Sequence, residues 1–196
     1  MNSTYDTFMS IFEQGVLGQK RADLIPTAYG KVLEIGSGTG VNLQYYNPER
    51  VKHIVLSDMT LDFILHKKLE NVALNYEIKA MDVESISYGD KTFDTIVVTL
   101  VFCSVKNVQR GLSELRRVLK DDGQIIFIEH VLPENEPMKG LFNILTPVWK
   151  HIASGCHLNR DFLQALEKAS FETTKVSKFN KYAFVSGKAY KKAKSR

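Results

Sequence analysis

Short apolar runs, each closed by an acid or a turn signal, alternate along this chain with stretches whose apolar residues recur at helical spacing. Residues 31–35, 53–58, 74–79, 93–98 and 124–129 are runs of the first kind, rich in valine, isoleucine and leucine. Apolar side chains at successive positions need burial on both strand faces, the pattern of a parallel sheet covered on both sides. Segments of the second kind lie between the runs. Residues 4–24 bring Phe8, Ile11, Phe12, Val16 and Leu17 to helical spacing, with Gly15 and Gly18 weakening the middle. A short helix heads towards Tyr46 and stops at Asn47-Pro48, and another begins near Leu61. Residues 108–119 place Leu112, Leu115, Val118 and Leu119 on one face before the turn Asp121-Asp122-Gly123. Such alternation predicts right-handed crossovers. The ending differs: after a helix over 160–168, two β-rich runs at 171–179 and 182–190 flank Asn180-Lys181 and read as an antiparallel hairpin.

The first strand opens into the most distinctive string of the chain, Glu34-Ile35-Gly36-Ser37-Gly38-Thr39-Gly40. Glycine at every second position leaves the main chain bare, so a ligand can press against it. In an open α/β sheet the turn after such a strand opens the ligand crevice. A phosphate cradle would need Gly-x-x-x-x-Gly-Lys-Ser/Thr, which occurs nowhere, and the dinucleotide fingerprint would need a glycine where Val41 stands. A structural tight turn is the plain alternative.

At 196 residues, with 44% apolar and 24% charged residues, the composition is that of a globular protein able to bury a full core. One domain over 1–196 is expected, with an N-terminal helical lid over about 1–25 and a cap insertion over about 134–157. Cys103 and Cys156 stand in neither a Cys-x-x-Cys pair nor a His/Cys cluster, which argues against structural zinc and a disulfide framework, so no metal is expected. The opening residues lack the pattern of a signal peptide, and no run of about 18 apolar residues could span a bilayer, so a cytoplasmic location is expected. The net charge of +4 is uneven: residues 173–196 hold eight basic residues and no acid. Such a segment can attract anionic lipid or nucleic acid, with peripheral membrane contact as the result, or it can simply solvate the terminus.

Gly36, Gly38 and Gly40 spell Gly-x-Gly-x-Gly, which resembles the first motif of class I S-adenosylmethionine (SAM) methyltransferases. Downstream segments extend the likeness. Strand 53–58 ends in Asp58, 24 residues after Glu34, where a carboxylate can accept both ribose hydroxyl protons; capping the helix near Leu61 is the other reading. Ala80-Met81-Asp82-Val83 resembles the adenine-edge motif, with Asp82 accepting from the exocyclic amine and Met81 or Val83 against the ring, or else Asp82 is an ordinary loop acid. Residues 113–123 resemble the helix and turn before strand five in the ubiquinone/menaquinone-biosynthesis methyltransferases. Residues 99–105, 128–131 and 155–160 resemble a narrower set, the thiol methyltransferases of animal membranes and their bacterial relatives.

The resemblance covers about residues 30–170 and implies a Rossmann-like α/β fold. That fold has a seven-stranded, mostly parallel sheet of order 3-2-1-4-5-7-6, with strand 7 antiparallel and helices on both faces. It implies SAM as cofactor and S-adenosylhomocysteine as product. The implied cofactor-binding residues are Glu34, Gly36, Ser37, Gly38, Thr39 and Gly40 from the turn, Asp58 and Met59 after strand two, then Met81, Asp82, Val83 and Thr99. The animal members carry a hydrophobic N-terminal anchor, whereas a soluble form is expected here.

The methyl carbon of a sulfonium is already electrophilic, so the protein mainly has to hold a nucleophile in line and exclude water. Base methyltransferases often place Asn/Asp-Pro-Pro-Tyr after strand four; Thr99-Leu100-Val101-Phe102 is apolar instead, which disfavours nucleic acid and suits a small, greasy acceptor. The same residues could equally finish the strand in the core. The insertion at 134–157 reads as a substrate lid that also touches lipid, or as a core helix. A thiol acceptor, a phospholipid headgroup or a quinone precursor would fit. For a thiol, His130 and His157 are the candidate catalytic bases, and each could equally be structural. The cysteines read as buried small hydrophobes. Two other classes compete: a nicotinamide-dependent oxidoreductase, and a non-enzymatic membrane- or nucleic-acid-binding module using the basic C-terminus.

Overall fold

Seven strands form one sheet of order β3-β2-β1-β4-β5-β7-β6. The computed structural model describes residues 13–70, 72–133, 135–152, 156–179 and 183–193. Phe8, Ile11 and Phe12 of the expected N-terminal helix, and Asn180, Lys181 and Tyr182 of the expected hairpin turn, lie outside the described residues. The strands are β1 (Gly30–Ile35), β2 (Val51–Asp58), β3 (Tyr76–Ala80), β4 (Phe93–Thr99), β5 (Leu119–His130), β6 (Phe171–Phe179) and β7 (Phe184–Lys191). The first five pair in parallel, and β7 runs antiparallel to both β5 and β6.

Alternation along the central strands divides the core in two, because successive side chains leave opposite faces. Leu33, Ile35, Ile96, Val98, Ile125 and Phe127 point to one side and pack with Leu112, Leu115 and Val118 of α3 (Val108–Val118) and with Phe162 and Leu166 of α5 (Phe162–Lys168). Val32, Ile54, Leu56, Val97 and Ile126 point to the other, against Ile25 and Leu43 and against Leu65 and Leu69 of α2 (Phe63–Leu69). Both faces are covered, as the predominantly apolar runs require.

The N-terminal segment breaks where glycine weakens it. Glu13–Leu17 forms one wide turn kinked at Gly15, followed by α1 (Gly18–Leu24). The helix expected near Leu61 is capped by Asp62, whose side chain accepts from the Ile64 N–H at 2.7 Å, so Asp58 is not its cap. The insertion is one long helix, α4 (Glu136–Ile152).

The turn expected at Asp121-Asp122-Gly123 lies inside β5: Phe93 pairs with Leu119 and Thr95 with Gln124, so the residues between bulge outwards. Lys91 and Lys191 both reach Asp121, and Lys120 reaches Asp94. The basic C-terminus is largely strand through residue 191; Lys188 donates to Gln124 and Lys192 pairs with Glu167. No helix among the described residues is long and apolar enough to cross a membrane.

Candidate active site

The glycine turn is held from below and left bare above. Gly36, Gly38 and Gly40 all take left-handed backbone angles (φ 70, 48 and 71°), which side-chain-bearing residues adopt at a cost. The Gly40 N–H donates to the Ser37 carbonyl, and the Ser37 N–H reaches across to Ser57 on β2. Asp58, at the end of β2, accepts the Gly38 N–H on Oδ2 at 3.0 Å. Crossover connections thus bring the ends of β1, β2, β3 and β4 around one cavity of about 260 Å³. Gly36, Asp58, Met59, Met81, Asp82 and Val83 line one side; Leu100, Val101, Ser104, Val105 and Lys106 line the other. Six residues expected from sequence therefore meet there.

Glu34 and Thr99, also of the expected set, sit in a buried hydrogen-bond network, and Thr39 stands half-buried in the turn itself. Glu34 is fully buried, its Oε1 accepting from Asn42 Nδ2 at 2.9 Å and its Oε2 from the Tyr46 hydroxyl at 2.7 Å. Thr99 Oγ1 accepts from both Asn42 and Arg21. Arg21, buried on α1, also donates to the Asn42 side-chain oxygen. Burial raises the Glu34 pKa above the usual carboxylate value, opposed by the hydrogen bonds from Tyr46 and Asn42. The network ties the N-terminal helix, the glycine turn and the end of β4 into one unit, so α1 is fixed to the site. Among the described residues the hydroxyl of the buried Ser37 has no partner, and a Cβ placed on Gly38 meets nothing within 4 Å. An orphaned hydroxyl and open space over a bare backbone fit a polar ligand laid along the turn, with carboxylates at Asp58 and Asp82 for its hydroxyl and amino groups.

Beyond the 100–105 segment lies a second cavity of about 200 Å³, lined by Phe102, Cys103, Gln109, His130, Arg160 and Phe162 among others. His130 is stacked on Phe142 of α4 at 5.6 Å and edge-on to Phe184 at 5.2 Å. Its Nδ1 is buried without a partner among the described residues, and burial pushes its pKa down to about 4. His157 lines neither cavity; its backbone N–H donates to the Cys103 carbonyl at 2.7 Å. Arg160 donates to the Phe102 carbonyl and lies among Cys103, Cys156 and Glu129, a positive setting for the thiols that the sequence does not reveal. Hydrogen bonding with the Cys156 thiol, followed by burial, nonetheless pushes the Cys103 thiol well up. Glu129 is fully buried, and burial raises its pKa to about 8.

That shift has a measurable consequence. The unfolded chain releases the Glu129 proton near pH ~4.3, while the folded chain keeps it until about 8, so this residue's contribution to stability declines as pH rises through that window. The decline approaches about 1.4 kcal/mol per pH unit. Glu129→Gln is expected to flatten the dependence of the melting temperature on pH between 5 and 8. An unchanged slope would show that Glu129 ionises normally.

The sheet order, the antiparallel β7 and the cavity between a glycine turn and two strand-end carboxylates are those of the class I SAM-dependent methyltransferase fold. A methyltransferase-domain family matches residues 33–127. More particularly, the chain is 38% identical over 149 residues to thiol S-methyltransferase TMT1B of Rattus norvegicus, covering 74% of this chain and 61% of the relative. It is 36% identical over 155 residues to thiol S-methyltransferase TMT1A of Homo sapiens, covering 77% and 64%. The chain therefore spans less than two thirds of these relatives' length. A solved S-adenosylmethionine-dependent methyltransferase from Mesorhizobium loti superimposes with a TM-score of 0.67 at 15% identity, over 90% of this chain and 98% of that one, a likeness of fold. None of these comparisons favours the oxidoreductase or the non-enzymatic module.

Proposed function

We propose that this chain transfers the methyl group of SAM to the sulfur of a small, apolar thiol. The carrying observation is the single cavity that gathers Gly36, Asp58 and Asp82 from three separate strand ends. The thiol reading rests on the likeness to thiol S-methyltransferases and on the apolar Leu100-Val101-Phe102 segment where base methyltransferases carry an amine grip.

When bound, SAM would supply an electrophilic methyl carbon: an acceptor sulfur that has lost its proton before entering would form the new S–C bond as the sulfonium–methyl bond breaks and S-adenosylhomocysteine leaves. The chain's own residues bind and orient. Asp58 would accept from the ribose hydroxyls, Asp82 from the adenine amine, and the bare turn would lie along the amino-acid part. Glu34, Asn42, Arg21 and Thr99 keep that turn in place. The 100–105 segment forms the wall facing the acceptor and keeps water from the reacting atoms. Helix α4 acts as the cap, with Leu141, Ile144 and Leu145 exposed along it for an amphiphilic acceptor or a lipid surface.

His130 orients the acceptor and does not take its proton. A base of pKa about 4 opposite a thiol near ~8.5 makes transfer uphill by about 6 kcal/mol. His130→Gln is therefore expected to lower turnover by no more than about tenfold and to leave a pH–rate profile that rises with ionisation of the acceptor thiol. Loss of a distinct titrating limb in that variant would make His130 a base after all. The function itself is tested by a radiolabelled-methyl screen across hydrophobic thiols, phospholipids, quinols and RNA. Label in the thiols is expected. Label confined to another class would overturn the thiol assignment, and no transfer to any class would overturn the activity.

A further inference from the structure

The wall between the two cavities is a short irregular segment, and three successive N–H groups and one carbonyl in it are held from outside. Leu100 takes a left-handed backbone (φ 59°), an unfavourable state for a branched residue. Its N–H donates to the Ile128 carbonyl of β5 at 2.8 Å. The next two N–H groups, of Val101 and Phe102, both donate to one oxygen, Glu129 Oε1, at 2.9 and 3.1 Å. Arg160 takes the Phe102 carbonyl from the opposite side. Val101 in turn fills the space where Gly36 lacks a side chain: a Cβ on Gly36 would come within 2.4 Å of Val101 Cγ2. The position of Val101 thus bounds the cofactor cavity, and Phe102 bounds the second one.

We propose that Glu129 is a positioning residue: by accepting both N–H groups on one oxygen it fixes the Leu100–Phe102 wall, and so sets how tightly the glycine turn can hold the cofactor. The assignment rests on the methyl-transfer reading. It does not place Glu129 against substrate, since the residue lies beneath the wall and lines neither cavity. A fully buried carboxylate is a costly way to hold a loop, because isolated charge is poorly solvated there. The second oxygen, Oε2, is buried without a partner among the described residues, and protonation there leaves Oε1 as a carbonyl-like acceptor able to take both N–H groups. Glutamine has the same shape and the same acceptor. Methionine fills the volume and accepts nothing of comparable strength.

The test compares Glu129→Gln and Glu129→Met with the wild-type chain by SAM titration calorimetry, steady-state kinetics and amide exchange of the peptide spanning residues 98–105. Gln is expected to keep the SAM KM within about threefold and the exchange pattern unchanged. Met is expected to raise the SAM KM at least tenfold, with a smaller change in kcat, and to speed exchange at Val101 and Phe102 at temperatures where the fold is intact. A Met variant that melts lower yet keeps the wild-type SAM KM and exchange would reduce Glu129 to a structural residue and overturn the proposal. Should the Met variant not fold, the wild-type and Gln chains decide: S-adenosylhomocysteine must slow exchange across 98–105 in both, and no slowing in either overturns it. Wild-type chain that binds no SAM fails at the methyl-transfer reading, an outcome distinct from binding that the Met variant leaves unchanged.

Discussion

Replacing Gly36 with alanine is expected to destabilise the fold and to cost most of the affinity for SAM. Two penalties combine. The left-handed backbone at φ 70° costs an alanine about 1–2 kcal/mol. The new Cβ meets Val101 Cγ2 at 2.4 Å, an overlap of the kind that costs about 1–3 kcal/mol to relieve. Together they predict a loss of about 2–5 kcal/mol, or roughly 5–15 °C in melting temperature for a chain of this size. The overlap can relax only by displacing Val101, which is part of the cofactor cavity, so binding suffers beyond the loss of stability. Gly38→Ala separates the two penalties. Its Cβ meets nothing within 4 Å among the described residues, so stability should fall by only the backbone cost of about 1–2 kcal/mol, while the methyl enters the open space above the turn where the ligand is proposed to lie and weakens SAM binding directly. Thermal melts beside SAM titrations separate the two variants. A Gly36→Ala chain that binds SAM like wild type would show that Val101 and the turn are not in register as described.

The second large effect is expected at Asp58. Its carboxylate already accepts the Gly38 N–H, and it lines the cavity at the end of β2. Hydrogen bonds to a charged acceptor contribute about 1.5–3 kcal/mol each, and a ribose offers two hydroxyls. Asp58→Ala is therefore expected to weaken SAM binding by about 3 kcal/mol or more, at least 100-fold, while costing the fold only about 1 kcal/mol for the lost partner of Gly38. Asp58→Asn, which keeps one acceptor oxygen, should fall between. Equal SAM affinity for Asp58→Ala and wild type would leave Asp58 as a brace for the glycine turn.

The parts of this molecule legible in sequence are those whose cause is local. Val32 and Leu33 are successive and apolar because both sheet faces are covered, and the turn that follows Ile35 announces itself by its glycines. The hairpin at the C-terminus, and with it the antiparallel β7, followed from turn chemistry and a resemblance in motifs. What stayed hidden depends on partners far along the chain. Arg21 looks like one basic residue of a helix until Thr99, 78 residues on, receives its hydrogen bond. Glu129 closes an apolar strand as many acids do, and only the fold places it under the N–H groups of Val101 and Phe102. The 24-residue step from Glu34 to Asp58 suggested both a clamp and a cap; the cap belongs to Asp62, four residues later, where the chain actually turns into helix. His130 was legible as a histidine near the acceptor side, but its surroundings of Phe142 and Phe184, which keep it uncharged, came from α4 and β7.

Calorimetric titration of the folded chain with SAM and with S-adenosylhomocysteine bears most directly on the whole account. It predicts one site for each, with binding weakened in Gly36→Ala and Gly38→Ala and at least about 100-fold weaker in Asp58→Ala. Folded protein that takes up neither compound would contradict it.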